Sequence, residues 1–448
     1  MDPDRIQALL RRAIARGARY ADARFQRIAS TRLLWRGGEA REVGSGTETG
    51  LCVRVLGRTW GFASGAPADA AKLAERAARL ARGGLRPRLA PRLPAPLSHR
   101  WLAPSRRPPA TVPLEEKVAL VKRTAKAARV PGVRSATVTY TDLEEERWFL
   151  GPETELRASV PRVLLGVRAV AREGARVQEA SERHGAAGGF EIAEAGSARA
   201  DRAGKKARDL LKAKPAPGGK MAVVMDGDLA GVFAHEAVGH AAEADHLLLG
   251  ETILEGHLGK RIGSPAFTLR DEPALAGAFG YTPFDDEGVP GGSTTVVETG
   301  RLRGFLHSRE TAAHLRAAPT GNGRAEGFED VPVVRMTNLV IPPGDRTGEE
   351  LLDVRRGIYA RKMHGGQVDT VTGTFQFSAE EAFLIRNGEL GPRLRNVSLS
   401  GSTLRTLRGV EARGKEREAS IGWCGKMGQS VPVSELCPAL RISEILVG

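Results

Sequence analysis

A strand, an acidic turn and a helix that carries two histidines follow one another near the middle of this sequence. The apolar run at residues 221–225 has the length of a buried strand, and the Asp226-Gly-Asp228 turn comes directly after it. Because an aspartate can accept the free N–H groups of a first helical turn, we expect Asp226 or Asp228 to cap a helix. That helix contains His235-Glu-Ala-Val-Gly-His240. The centre of the chain is therefore predicted to be an α/β unit with two imidazoles and a carboxylate on one short segment.

The spacing of the two histidines requires an irregular helix if both are to bind one ion. Imidazole is a good zinc ligand, and an adjacent carboxylate such as Glu236 can take a proton from metal-bound water. However, residues i and i+5 lie roughly 140° apart around a regular helix, unlike the pair in H-E-x-x-H. Gly239 tolerates a helix break or a widened π-type turn, so we predict a distortion at residues 238–240. The alternative is that His235 and His240 are ordinary polar positions on an amphipathic helix.

The length of the chain and a Pro- and Gly-rich segment near its middle indicate two domains. A chain of 448 residues is too long for a single hydrophobic core. The Pro- and Gly-rich segment 214–219 is the expected boundary, with an N-terminal α/β domain at residues 1–215 and a β-rich C-terminal domain at residues 216–448. Residues 82–113 are rich in Arg and Pro, which predicts an extended, exposed connector without regular structure. The expected fold class is mixed α/β (α+β), with the zinc-binding helix in the second domain.

The periodicity of apolar residues predicts the other elements. Helices are expected from a cap at Asp2 to Gly17 and at residues 68–81, 114–128 and 192–212. Strands are expected at residues 20–28, 31–35, 50–62, 133–140, 145–150, 155–171 and 176–183, and in the second half at 294–297, 302–306, 331–334, 338–341, 370–377, 383–386 and 395–399. The strongest turn signal is Asn387-Gly388, because both central positions of a type I′ turn need positive φ.

Composition excludes several classes of protein. No apolar run approaches the roughly 20 residues that span a bilayer, and the first residues lack the pattern of a secretory signal, so no membrane association is expected. Three widely spaced cysteines do not make a disulfide framework, which favours a reducing cytoplasm.

Residues 1–215 hold 42 Lys and Arg against 23 Asp and Glu, a net charge of +19 within a total of +14. These basic residues are scattered, without interleaved aromatics, so nucleic acid is not the expected partner.

The third metal ligand is not fixed by spacing. Catalytic zinc sites usually take three protein ligands, and the candidates are the remaining histidines, the cluster Asp285-Asp-Glu287 and the cysteines. Cys424 is favoured by its context, because glycines flank it closely and Lys426 would favour a thiolate. Cys52 and Cys437 lie in apolar segments that are typical of small core residues.

Nine motifs occur along nearly the whole chain in a fixed order. They are Tyr20-Ala-Asp-Ala-Arg24, Trp60-Gly-Phe-Ala-Ser64, His235-Glu-Ala-Val-Gly-His240, Asp285-Asp-Glu-Gly288, Pro319-Thr-Gly-Asn-Gly-Arg324, Arg335-Met-Thr-Asn338, Gly365-Gly-Gln-Val-Asp369, Phe377-Ser-Ala-Glu-Glu-Ala382 and Cys424-Gly-Lys-Met-Gly-Gln429. Together they resemble the TldD branch of the TldD/PmbA family. The resemblance implies that His235, His240 and Cys424 bind zinc and that Glu236 is catalytic.

The resemblance also implies a function. It predicts a cytoplasmic zinc peptidase that hydrolyses extended or unfolded peptides, with zinc-bound water activated by Glu236 as general base. Members often pair with a homologue that lacks the metal residues, so a homodimer or such a heterodimer is expected. The alternatives are a non-catalytic partner subunit, against which the intact metal residues argue, and a nucleic-acid-binding protein. Tyr281, Asn322 and Arg324 remain equal candidates for stabilising an oxyanion, and the natural peptide is not apparent from the sequence.

Overall fold

A computed structural model describes residues 2–84 and 97–448 of the chain. Within these residues, helices pack against two large β-sheets, which confirms the expected mixed α/β class and the β-rich second half. The helices are α1 Pro3–Ala15, α2 Ala70–Leu80, α3 Leu114–Ala128, α4 Glu191–Ser197, α5 Ala200–Leu210, α6 Gly227–Ala234, α7 Ala244–Leu249, α8 Arg309–Leu315, α9 Gly348–Leu352 and α10 Thr403–Arg408. The strands are β1 Tyr20–Arg36, β2 Glu39–Leu56, β3 Trp60–Gly65, β4 Ser98–Leu102, β5 Val133–Leu150, β6 Glu155–Glu173, β7 Arg176–Ala187, β8 Lys214–Pro215, β9 Gly219–Met225, β10 Leu269–Asp271, β11 Thr294–Glu298, β12 Arg301–Leu302, β13 Gly323–Arg324, β14 Val333–Val334, β15 Asn338–Val340, β16 Arg356–Val368, β17 Thr374–Arg386, β18 Glu389–Arg395, β19 Val397–Ser402, β20 Val410–Lys426 and β21 Gln429–Val447.

The first sheet has the strand order β3-β2-β1-β5-β6-β4, with β7 also paired to β6. Helices α1 and α2 cover one part of it through a core that includes Leu10 and Ala77. Helices α3, α4 and α5 cover another part through Leu120 and Leu210. The capping of α1 by Asp2 and the bounds of α3 agree with the predictions.

Several strands of this sheet are longer than predicted. Strand β1 is continuous through Ser30, which pairs with Gly46 on one side and Leu143 on the other. In β2, residues 39–49 have both faces at or near the surface, so no apolar alternation marks them as a strand. The predicted strand at 50–62 is the end of β2, a turn and β3, and the predicted pair within 133–150 is the single strand β5. The predicted helix at 192–212 is two helices, α4 and α5.

The Arg/Pro-rich connector contains one strand that the sequence did not predict. Residues 85–96, which carry part of the predicted connector, lie outside the described residues. Strand β4 pairs in parallel with the first residues of β6. The prediction that prolines exclude regular structure is wrong there, because residues 97–103 contain no proline and can pair along one side of a neighbouring strand.

The second sheet has the order β12-β11-β10-β15-β21-β9-β16-β17-β18-β8, with β19 and β20 attached to it, and β13 pairs with β14 separately. Strand β9 lies between β21 and β16, and α6 follows it directly. The predicted turn between β17 and β18 is confirmed, with φ of 49° at Asn387 and 83° at Gly388. The predicted domain boundary at residue 215 stays a prediction.

A buried ionic network joins the first sheet to a loop of the second half. Arg24 lies 3.1 Å from one oxygen of Asp286, and Arg147 lies 3.2 Å from the other. Arg54 pairs with Asp22 inside the first sheet and reaches Glu287 at 3.1 Å. All of these side chains are buried, so this contact contains charges that are paired with one another instead of with water.

Candidate metal centre

The helix that carries the first histidine begins as the sequence predicts. Asp226 caps it by accepting the backbone N–H of Leu229 at 2.9 Å. Burial raises the pKa of Asp226 to about 7, partly offset by the N–H donors around it. Because β9 is a central strand, the start of α6 is held between two neighbouring strands, β16 and β21.

The helix changes its winding at the histidines. Residues His235–Gly239 form a π-helix, in which the N–H of His240 donates to the carbonyl of His235, and a 3₁₀ turn follows at His240–Ala242. A π turn holds one more residue than an α turn, so positions i and i+5 come to the same side. The predicted distortion is confirmed, although it starts at His235 and not at Val238.

Gly239 is required for a different reason from the one expected. Its backbone is right-handed helical, with φ of −58° and ψ of −57°, which any residue adopts. A Cβ at this position would lie 2.0 Å from Sδ of Met336 and 3.0 Å from Cδ1 of Leu339. The glycine therefore allows the π turn to pack directly against these core side chains.

The predicted ligand residues converge in space. Sγ of Cys424 lies 3.2 Å from Nε2 of His235 and 3.4 Å from Nε2 of His240. The three donor atoms are all within 4.8 Å of one another. His235 and Cys424 are buried, and His240 is partly buried. Two imidazoles and one thiol in this arrangement form a donor set that suits Zn²⁺ with one coordination position left open.

The outer nitrogen of each imidazole contacts a carboxylate. Nδ1 of His235 lies 2.8 Å from Oε1 of Glu435, and Nδ1 of His240 lies 3.0 Å from Oε2 of Glu243. An ionised carboxylate only accepts, so each Nδ1 is the donor, which leaves Nε2 as the nitrogen that would bind a metal after losing its proton. Such carboxylate–histidine pairs commonly orient metal-binding imidazoles. The residues present therefore fit a zinc ion.

The sequence analysis assigned no role to either of these carboxylates. Glu243 belongs to the region of the histidine motif, three positions after His240, and this helical spacing was an available signal. Glu435 gave no such signal, since it reaches His235 only because β21 pairs with β20 and lies beside α6.

The charged groups around Cys424 shift one another's pKa values. Burial alone would raise the pKa of the Cys424 thiol, but hydrogen bonds with His235 and His240 lower it to about 5. Burial would lower the pKa of His240, but Glu243 raises it to about 9. Burial would also raise the pKa of Glu243, whereas His240 and Lys426 lower it to about 2. These groups favour a thiolate at Cys424.

The carboxylate of Glu236 differs from those of Glu243 and Glu435 in its lack of hydrogen bonds to other described residues. Its side chain is partly exposed, and no hydrogen bond or ion pair to another described residue occupies its carboxylate. It follows His235 directly in the chain, at the start of the π-helix. A partly exposed carboxylate that is bound to no other described residue is available to exchange protons with water.

The rival ligands are engaged elsewhere. Asp285 accepts the backbone N–H groups of Glu287, Val289 and Gly323, and the next two acidic residues pair with arginines of the first sheet. Cys437 is fully buried in the apolar core of the second half, and Cys52 is fully buried near Asp22, Arg24 and Arg54 of the ionic network. Burial raises the pKa of each of these two thiols, as expected for core cysteines.

Two of the three suggested oxyanion residues donate their hydrogen bonds to other partners. Arg324 donates to the carbonyls of Met336 and Pro432, at 2.5 and 2.9 Å. Asn322 donates to Asp271 at 2.7 Å, and Tyr281 is half-buried. The donors of Arg324 and Asn322 are thus engaged within the protein.

The fold and the donor set together define a candidate metal-binding protein, and comparisons with known proteins identify its family. Sequence models described as PmbA/TldA metallopeptidase domain 1, central domain and C-terminal domain match residues 21–81, 107–211 and 218–448. A metalloprotease of Methanothermobacter thermautotrophicus is 43% identical over 96% of this chain and 95% of that protein. The chain belongs to the TldD/PmbA metallopeptidase family.

Two further relatives refine this comparison. A protein of Saccharolobus solfataricus named zinc metalloprotease TldD homolog is 32% identical over 75% of this chain and 76% of that protein. The solved structure of TldE from Thermococcus kodakarensis has a TM-score of 0.82 and covers 99% of both chains at 18% identity. At this identity the structural likeness supports the fold. No helix among the described residues is long and apolar enough to cross a membrane.

Proposed function

We propose that this chain is a zinc-dependent peptidase that hydrolyses extended peptides, with His235, His240 and Cys424 as ligands and Glu236 as general base. The observation that carries the proposal is the convergence of three donor atoms, with Glu236 adjacent to His235 in the chain and in no hydrogen bond or ion pair with another described residue. When bound, zinc would polarise the scissile carbonyl and make water a better nucleophile at neutral pH.

The surrounding residues prepare the donors for this role. Glu435 and Glu243 hold the Nδ1 protons of the two imidazoles, which directs both Nε2 atoms to the centre of the site. Cys424 contributes one negative charge, so a divalent ion there would keep a net charge of about +1. The non-catalytic alternative is disfavoured because this complete set has no evident structural use.

Glu236 moves the proton in the proposed reaction. Its carboxylate takes a proton from the attacking water, holds it at an Oε atom, and passes it to the nitrogen of the leaving amine. A second carboxylate is not required, because the same group acts first as base and then as acid. Its freedom from internal hydrogen bonds suits both steps.

The edge of β20 is the proposed site of peptide binding. Among the described residues, β20 pairs from Arg417 to Lys426 only with β21, so its other edge has no strand partner, although the carbonyl of Cys424 itself accepts from Arg335. A Cβ added at Gly422, on the same face of the strand as Cys424, would meet nothing within 4 Å, which leaves room next to the thiol. Main-chain pairing to such an edge recognises an extended peptide with little dependence on its side chains.

The substitution Glu236→Gln tests the assignment. It keeps the size of the side chain and removes the base, so peptide hydrolysis should be lost while the purified protein keeps about one zinc per chain. The exposed Glu115→Gln on α3 is the control and should keep both. Loss of zinc from Glu236→Gln would mean that Glu236 is a ligand, and full activity would mean that it is not the base.

The active assembly and its compartment are also proposals. We infer a dimer, either with a second copy or with a homologue that lacks the metal residues, from the family resemblance and from the opposite net charges of the two halves. The thiols of Cys52, Cys424 and Cys437 are unpaired, which suits a reducing cytoplasm. Light scattering on active protein decides the first point, since a fully active monomer would exclude the dimer.

A further inference from the structure

A lysine bonds to two residues of a second group of potential metal ligands. Donor atoms of Glu243, Asp245 and His246 lie within 4.8 Å of one another, a separation that could accommodate a cation. Nζ of Lys426 is 2.9 Å from Oε2 of Glu243, 2.8 Å from both oxygens of Asp245 and 3.1 Å from the carbonyl of Val334. The lysine side chain is only 7% exposed. An ammonium group thus supplies the positive charge that a second ion would supply there.

This contact differs from the role that the sequence suggested for Lys426. A lysine two residues from Cys424 was expected to favour the thiolate directly. Instead, the bonds of Nζ go to two carboxylates and a carbonyl, and the imidazoles of His235 and His240 lower the pKa of the thiol. The lysine therefore acts on another part of the site.

Lys426 and His240 share a single oxygen atom. Oε2 of Glu243 accepts from Nζ of Lys426 at 2.9 Å and from Nδ1 of His240 at 3.0 Å. The other oxygen, Oε1, is buried and has no hydrogen-bond partner among the described residues. The glutamate side chain is fully buried, so its carboxylate is oriented by these bonds to Oε2 and not by water.

The strand geometry makes this link rigid. Cys424 and Lys426 are two residues apart on β20, so both side chains project from the same face of the strand. Cys424 contacts both histidines directly, whereas Lys426 reaches His240 through Glu243. One strand end thus provides one donor of the candidate centre and fixes the orientation of another.

We propose that Lys426 is a positioning residue of the metal centre, whose ammonium fixes the Glu243 carboxylate and thereby the ring of His240. The inference rests on the proposed function in that it takes His240 to be a zinc ligand. Without the ammonium, two carboxylates would face each other with no buried cation between them, and Glu243 would turn away from Nδ1 of His240. His240 would then lose the bond that directs Nε2 to the metal.

Zinc affinity without any peptide is the test. Lys426→Met keeps the length and the apolar stem of the side chain and removes the charge. Competition with a chelator should give a zinc dissociation constant about 10- to 100-fold higher than that of the wild-type chain, the range for loss of an outer-shell partner. Lys415→Met, an exposed lysine on the same strand, is the matched control and should leave the constant unchanged.

Cobalt provides a readout that a purely structural role would not alter. Co²⁺ in the same site reports ligand geometry through its visible absorption, so a reoriented His240 should change the spectrum of saturated Lys426→Met. Lys415→Met should keep the wild-type spectrum. A wild-type spectrum and a wild-type zinc constant in Lys426→Met would overturn the inference.

A double-variant cycle separates the link from a general loss of stability. If Lys426 acts through Glu243, then Lys426→Met should weaken zinc binding no further in a Glu243→Ala background, which has no acceptor at that position. This comparison also holds if the single lysine variant does not fold, because the double variant removes charge at both positions. Additive losses would overturn the inference. Failure of the wild-type chain itself to bind zinc would instead refute the proposed function.

Discussion

The imidazole of His235 and the carboxylate of Glu435 are 200 positions apart in the chain and 2.8 Å apart in space. The same ring lies 3.2 Å from Sγ of Cys424 through its other nitrogen. Cys424 and Glu435 belong to β20 and β21, two strands of one hairpin. The hairpin therefore holds the first histidine at both nitrogens, while the helix supplies only its backbone position.

Replacement of Glu435 should weaken metal binding without removing a ligand. Glu435→Gln keeps an acceptor for Nδ1 of His235 but loses the charge, and we expect zinc affinity to fall about tenfold; Glu435→Ala should approach 100-fold. Chelator competition measures both, with the exposed Glu389→Gln as control. Unchanged affinity in Glu435→Ala would show that the hairpin does not orient the ring.

Gly239→Ala should destabilise the protein through overpacking. The added methyl group would overlap Sδ of Met336, which is buried, so we expect the free energy of unfolding to fall by about 1–3 kcal/mol. Denaturant titration of the metal-free protein measures this loss. The adaptable methionine side chain favours the lower end of the range.

A second substitution identifies the cause. Met336→Ala should cost less stability in the Gly239→Ala background than in the wild-type chain, because it makes room for the new methyl group. If the double variant is less stable by the sum of the two single losses, then Gly239 is needed for its backbone freedom and not for close packing.

The sequence predicted local features of the site better than its tertiary contacts. The irregular turn followed from the spacing of His235 and His240, because five residues do not fit one α turn. The cap at Asp226 and the type I′ turn at Asn387 likewise follow from chemistry within a few residues. The role of Gly239 did not, since it depends on Met336, which lies nearly 100 positions away.

Strands β1 and β2 were predicted less well for a similar reason. The outer parts of β1 and β2 have few buried side chains. Apolar and polar residues therefore do not alternate there, although the backbone pairing continues. The cluster Asp285-Asp-Glu287 was a candidate metal site by composition alone. It is instead paired with arginines of the first sheet, and nothing near it in the sequence identifies those partners.

Acid should weaken the ionic contact between the first sheet and the loop that carries Asp286. Burial would raise the pKa of Asp286, but Arg147 and Arg24 hold it below its usual value of 3.8. The folded state thus favours the ionised carboxylate, so the stability it contributes is complete at neutral pH and is lost as the pH falls through and below about 4.

Asp286→Asn tests this contribution. It leaves two buried guanidinium groups short of an anion, and we expect a loss of about 3 kcal/mol or more in the free energy of unfolding at pH 7. The difference from the wild-type chain should shrink as the pH is lowered toward 3. A difference that stays constant over this range would assign the loss to packing and not to charge.

Cys424 is the ligand assignment with the clearest matched controls. Cys424→Ala leaves two imidazoles, too few for a stable catalytic site, so zinc and activity should be lost together. Cys424→Ser should be nearly as damaging, because an alcohol is a poor zinc ligand at neutral pH. Cys52→Ala and Cys437→Ala should keep their zinc and cost about 1 kcal/mol of stability, since both thiols pack in the core. Stoichiometric zinc and full activity in Cys424→Ala would remove the thiolate from the mechanism.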